Sequence, residues 1–104
     1  MTIQYNTDKT INGDESHSAY YTNLIKEGLQ RYSDSITRIE VHIGDENGKK
    51  EGFDDIRCML EARLEGRQPI AVTSHANNTE EAVSASIEKL KNSLETILGR
   101  IRNY

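Results

Sequence analysis

The chain has 104 residues with 17 acidic and 13 basic side chains, a formal net charge of −4, 35% apolar residues, no Trp and one Phe. That length fits one domain with a single two-layer core, and the lean apolar share makes the core aliphatic, with tyrosines at its margin. No run approaches the ~20 apolar residues that span a bilayer, and the polar start Thr2-Ile3-Gln4-Tyr5 lacks a signal-peptide core, so the expected location is cytoplasmic; the acid excess argues against bulk attraction to nucleic acid.

Ile3, Tyr5 and Thr7 alternate with Gln4, Asn6 and Asp8, which predicts a short strand with one buried face. After the polar stretch Asn12-Gly13-Asp14, Tyr21, Leu24, Ile25, Gly28, Leu29 and Tyr32 share one helical face, predicting a helix from about Ser16 to Tyr32. A glycine inside a helix costs about 1 kcal/mol relative to alanine. Gly28 lies in the middle of the apolar face, so it reads as a point of close packing against the sheet or the other helix.

Ser33-Asp34-Ser35 ends that helix, and Ile36 to Ile43 forms the clearest strand, with Ile39, Val41 and Ile43 on one face and Arg38, Glu40 and His42 on the other. The loop from Gly44 to Gly52 holds the turn signal Asn47-Gly48. Asp45, Glu46, Glu51, Asp54 and Asp55 crowd this region around Lys49 and Lys50, while elsewhere 12 acids are matched by 11 Lys and Arg. From Asp55 to Glu65 a strand turns Ile56, Cys58, Leu60, Ala62 and Leu64 inward. A tight turn at Glu65-Gly66-Arg67 leads to a last strand, Pro69 to His75, with Ile70 and Val72 inward and the proline at the strand start, where it is best tolerated.

From Asn78 to Arg102, Val83, Ile87, Leu90, Leu94, Ile97 and Ile101 recur at steps of four and three, the stripe of an amphipathic helix. Asn78 with Glu81 makes a capping-box pattern, and Glu80 and Glu81 suit the positive end of the helix dipole. The order strand, helix, three strands, helix predicts a two-layer α+β domain. Its four-stranded mixed sheet has strands one and two parallel and the rest antiparallel, with both helices on one face.

Few residues carry chemistry. The alternation puts His42 and His75 on the open sheet face and Cys58 on the buried one, so they cannot share a metal site, and two histidines lack a third ligand unless Glu40 or Glu61 supplies it. The loop at Asp45-Glu46-Asn47-Gly48 has Lys49 where a calcium loop needs oxygen. A thiol buried among aliphatics stays protonated and inert, Ser74-His75 follows no nucleophile elbow, and no glycine-rich phosphate loop exists. The expectation is a non-enzyme with no cofactor, no metal and no small-molecule substrate. Arg38, Glu40, Arg57, Glu61, Arg63 and Glu65 read as a solvated face of cross-strand ion pairs rather than a ligand platform.

The helices hold the candidate binding residues. Lys89, Ser93, Thr96 and Arg100 form an acid-free row along one flank of the last helix, a composition suited to phosphates. Lys91 is offset by Glu88 and Glu95 within one turn, and Lys26 keeps company with Thr22, Asn23 and Gln30. Spacing alone favours the plainer reading of soluble helix flanks.

Leu29-Gln30-Arg31-Tyr32-Ser33-Asp34-Ser35-Ile36, running into Val41-His42-Ile43, resembles the first helix end and second strand of the ribosome hibernation factors, the family of hibernation-promoting factor and ribosome-associated inhibitor A. Ala82 to Leu94, centred on Ile87-Glu88-Lys89-Leu90, is similar to that family's last helix. The resemblance implies a fold like a double-stranded-RNA-binding domain and a non-catalytic factor that binds the small ribosomal subunit and its rRNA. It further implies blocking of mRNA and tRNA sites, so that translation is inhibited or ribosomes hibernate in stress and stationary phase. Carried over by position, Lys89 matches the family lysine, and Lys26, Arg31, Lys91 and Arg100 fall in the corresponding helical regions. The chain departs from the family where a lysine-rich run usually ends the last helix, since Glu95-Thr96-Ile97-Leu98 stands there, and it matches a short form without a second domain. The alternative is a protein-interaction module that kept the fold without the RNA surface.

Overall fold

The computed structural model describes residues 1–7, 15–45 and 55–102, the side chains of residues 15–17 and 99–102 excepted. The turn expected at Asn47-Gly48, the stretch Asn12-Gly13-Asp14 and most of the acidic loop lie outside the described residues. Strand β1 (Thr2–Thr7) is followed by helix α1 (Glu15–Leu29), a 3-10 turn (Gln30–Tyr32), β2 (Ile36–Asp45), β3 (Ile56–Leu64), β4 (Ile70–Ala76) and helix α2 (Thr79–Arg102). The sheet order is β1-β2-β3-β4, with β1 parallel to β2 and the other pairs antiparallel. This is the mixed two-layer α+β sheet that the alternation and loop lengths predict.

One side of the sheet forms the core. Ile39, Val41, Cys58, Leu60 and Ala62 are fully buried there beneath Ile25 and Leu29 of α1 and Val83, Leu90 and Leu94 of α2. α2 lies across β3 and β4, while α1 packs beside it and touches β1. Asn78 caps α2 as expected: its Oδ1 accepts the Glu81 N–H at 2.8 Å, and its carbonyl accepts the Ala82 N–H at 3.1 Å.

Three local differences from the sequence reading have simple causes. The first helix tightens into a 3-10 turn over its last three residues, a common way to end an α-helix. The α2 stripe drifts: Leu98, 8% exposed, takes the core position after Leu94, while Ile97 is only partly buried. At 3.6 residues per turn, a strict four-three repeat slides off the buried face. The third concerns β2, whose alternation is broken by a bulge. Ile36 pairs with Leu64 but Arg38 pairs with Arg63, so Thr37 is an extra residue, and its hydroxyl donates to the Arg63 carbonyl at 3.1 Å.

The two helices run parallel, because successive contacts climb both chains together. The Tyr20 hydroxyl donates to Glu80 at 3.0 Å, Gly28 faces Ile87, and the Tyr32 hydroxyl donates to Glu95 at 2.5 Å. Parallel helices set their positive N-terminal ends side by side, and Glu80 and Glu81 in the first turn of α2 offset that charge.

Candidate nucleic-acid interface

Each helical cation is positioned differently, and together they span the helical layer instead of forming one cluster. Lys26 is exposed on the outer side of α1, in a shallow hollow with Met1, Asn23 and Gln30. Arg31, in the 3-10 turn, reaches across to α2, where its guanidinium lies 3.7 Å from Glu95 and stacks 5.9 Å from the Tyr32 ring centre. Lys91 overlooks the groove between the helices beside Glu27 and Glu88, with its ammonium 3.5 Å from Glu88. Lys89 points the other way, over the sheet edge, and donates to the Thr73 carbonyl of β4 at 2.6 Å. Arg100 lies in the last turns of α2, its side chain outside the described residues.

The acid-free row on α2 is therefore partly engaged within the fold. Lys89 is held by Thr73, leaving two of its three N–H groups for a ligand, and the Thr96 hydroxyl donates to the Asn92 carbonyl of its own helix at 3.0 Å. No sequence spacing reveals the Lys89 bond, because it depends on how α2 crosses β4. Exposed ion pairs such as Arg31–Glu95 and Lys91–Glu88 contribute little to stability, but each puts a carboxylate where a phosphate would have to bind.

The opposite sheet face carries the expected cross-strand network. Arg63 lies 3.3 Å from Glu40 and 3.4 Å from Glu61, and Glu40 is also 4.0 Å from Arg38 and from His42. The register sets His42 opposite Met59 and His75 opposite Arg57 on this face, away from Cys58. Among the described residues, no group of three or more His, Cys, Asp or Glu side chains is placed to hold a metal ion. None of their helices is long and apolar enough to cross a membrane.

Cys58 is fully buried, and burial pushes its thiol up to about 11 against the lowering influence of Ser86 and Arg57, so it is protonated at neutral pH. Its backbone carbonyl accepts the Ser86 hydroxyl at 2.8 Å. Ser86 is fully buried on α2, a core position that an apolar template passes over.

No protein-family model matches the sequence, and no curated protein matches it. Among solved structures, the N-terminal domain of Protein Y from Thermus thermophilus superposes with a TM-score of 0.74 at 13% identity, over 93% of this chain and 99% of that one. A ribosomal subunit interface protein from Coxiella burnetii gives 0.73 at 16% identity, over 95% and 99%. At such identities the likeness establishes a shared fold, in agreement with the resemblance carried by Leu29–Ile36 and Ala82–Leu94.

Proposed function

We propose that this protein is a non-catalytic, cytoplasmic, ribosome-associated factor. It binds the small subunit through rRNA phosphates and occupies the mRNA and tRNA sites, inhibiting translation or holding ribosomes in hibernation under stress and in stationary phase. The observation that carries the reading is the near full-length fold likeness to a protein named for the ribosomal subunit interface. Lys89, Arg31, Lys26, Lys91 and Arg100 are the phosphate contacts in this reading. The test is co-sedimentation of the purified protein with small subunits and whole ribosomes across a salt series. Saturable binding at about one copy per subunit that weakens steeply with salt supports it, and no binding even at low salt defeats it.

One observation favours a second reading, that of a protein-interaction module. Two of the helical cations, Arg31 and Lys91, lie beside acidic residues of α2. An apolar protein interface would respond weakly to the same salt series, which separates the two readings.

A further inference from the structure

The outer side of β4 is a sheet edge with almost no defence of its own. Among the described residues β4 pairs with β3 alone, so its other side offers backbone donors and acceptors to solvent or to a further strand. β4 contains no acid, lysine or arginine, the charges by which edge strands ordinarily discourage another strand. Its inward residues Ile70, Val72 and Ala76 are only partly buried, so the rim of the core lies open along this edge.

One charge does stand at the edge, and it comes from α2. The Lys89 ammonium donates to the carbonyl of Thr73, the central residue of β4, at 2.6 Å. The neighbours of Lys89 on the same flank of α2, Ala85, Ser93 and Thr96, are uncharged. The bond occupies a backbone acceptor and sets a hydrated cation where a further strand would run. Lysine is the charge that natural sheets use most for this purpose.

We propose that the β4 edge is a pairing surface for a second copy of this chain and that Lys89 holds it shut. The partner follows from the register. Two β4 strands paired antiparallel about a two-fold axis at Thr73 set Thr73 against its own copy and Ala71 against His75 on the open face. On the helix face the same register sets Val72 against Ser74 and Ile70 against Ala76. No like charges oppose each other, the central threonines make a favourable cross-strand pair, and the partly buried row of Ile70, Val72 and Ala76 continues into that of the partner. The axis also brings the two Lys89 ammoniums towards each other. Each therefore opposes the pair twice, by competing for the Thr73 carbonyl and by repelling its copy. The inference stands independently of the ribosome reading.

The experiment follows the association of the full chain by sedimentation velocity over a concentration series, for the wild type and Lys89→Met. Methionine keeps the aliphatic stem and the helix propensity at this exposed position and removes the donor. Two competing hydrogen bonds disappear per dimer, so the dimer tightens roughly 30-fold over the wild type. Adding Thr73→Lys to Lys89→Met restores the monomer, because it sets two cations directly opposite each other. Cross-linking checks the register. Thr73→Cys/Lys89→Met oxidises to a covalent dimer across the axis, whereas Ala71→Cys/Lys89→Met does not, since its copies are offset by about 14 Å along the strands. Cys58 is fully buried and does not compete. Association of Lys89→Met no tighter than that of the wild type overturns the guard. A dimer indifferent to Thr73→Lys, or one in which Ala71→Cys cross-links as readily as Thr73→Cys, overturns the β4 edge as the interface. Assembly beyond the dimer overturns it as well, because a two-fold pair uses up both β4 edges.

Discussion

Gly28 and Ile87 set the separation of the two helices: a Cβ built on Gly28 would stand 2.8 Å from Ile87 Cγ2, closer than real side chains approach. The obstruction is the branch methyl of a β-branched residue, which is stiff in a helix and cannot swing aside. Gly28→Ala gains about 1 kcal/mol of helix propensity and loses ~1–3 kcal/mol to overpacking. The expected net outcome is a destabilisation of about 1 kcal/mol, read as a lower urea midpoint. Ile87→Leu removes the offending methyl, so the double variant should be more stable than the two single effects add up to. Simple additivity would show that the contact does not set the spacing.

A second prediction concerns alkaline stability. Burial pushes Cys58 from an ordinary 9.0 to about 11, and burial together with Tyr21 and Cys58 pushes Tyr5 from 10.0 to about 12. Both groups hold their protons more tightly folded than unfolded, so the stability they contribute is complete below pH 9. It falls as pH rises from about 9 to 11 for Cys58, and from about 10 to 12 for Tyr5. The Cys58 contribution amounts to about 3 kcal/mol across its window. Urea midpoints between pH 7 and 10.5 should therefore decline in the wild type and decline less in Cys58→Ala. Parallel curves for the two proteins would refute the linkage.

These two predictions differ in how far the sequence led to them. Gly28 was legible because a glycine in the middle of an apolar helical face needs a packing reason, and the inward run Ile56, Cys58, Leu60, Ala62, Leu64 announced a buried thiol. Alternation and stripe spacing give each element its face, and loop lengths give the strand directions. The same reasoning missed Ser86, whose buried hydroxyl is satisfied by a carbonyl on another element. It also missed the Thr37 bulge, since a bulge shows only in the pairing of two strands. The candidate cations were legible as residue types on helix flanks. Their partners were not, because Lys89–Thr73 and Arg31–Glu95 join residues far apart in the chain whose meeting depends on helix placement.

A third prediction tests the start of α2. Asn78→Ala removes the acceptor of the Glu81 N–H and should cost about 1 kcal/mol. For a domain of this size that is a fall in Tm of roughly 4–8 °C. Asn78→Asp keeps the acceptor and adds a negative charge at the helix N-terminus, so its Tm should stay at or above that of the wild type. Equal losses in both variants would mean that the side chain matters for something other than capping.

The last prediction uses the acids beside the helical cations. Glu95 lies 3.7 Å from Arg31 and Glu88 lies 3.5 Å from Lys91. Both pairs are exposed, so breaking them should change stability by less than about 1 kcal/mol. Glu95→Gln also keeps an oxygen to accept the Tyr32 hydroxyl. If Arg31 and Lys91 contact phosphate, each must first exchange a carboxylate for it. The Glu88→Gln/Glu95→Gln variant removes that competition and also removes two negative charges from the surface facing the RNA. Ribosome binding should therefore tighten most at low salt, where surface charges are least screened. Its salt dependence should steepen, since two more cations are free to displace counterions. Unchanged binding would show that Arg31 and Lys91 serve α1 and α2 alone, leaving Lys26, Lys89 and Arg100 as the helical contacts. Weaker binding would go further, because the carboxylates would then belong to the contact surface itself, as a protein partner with basic side chains would require.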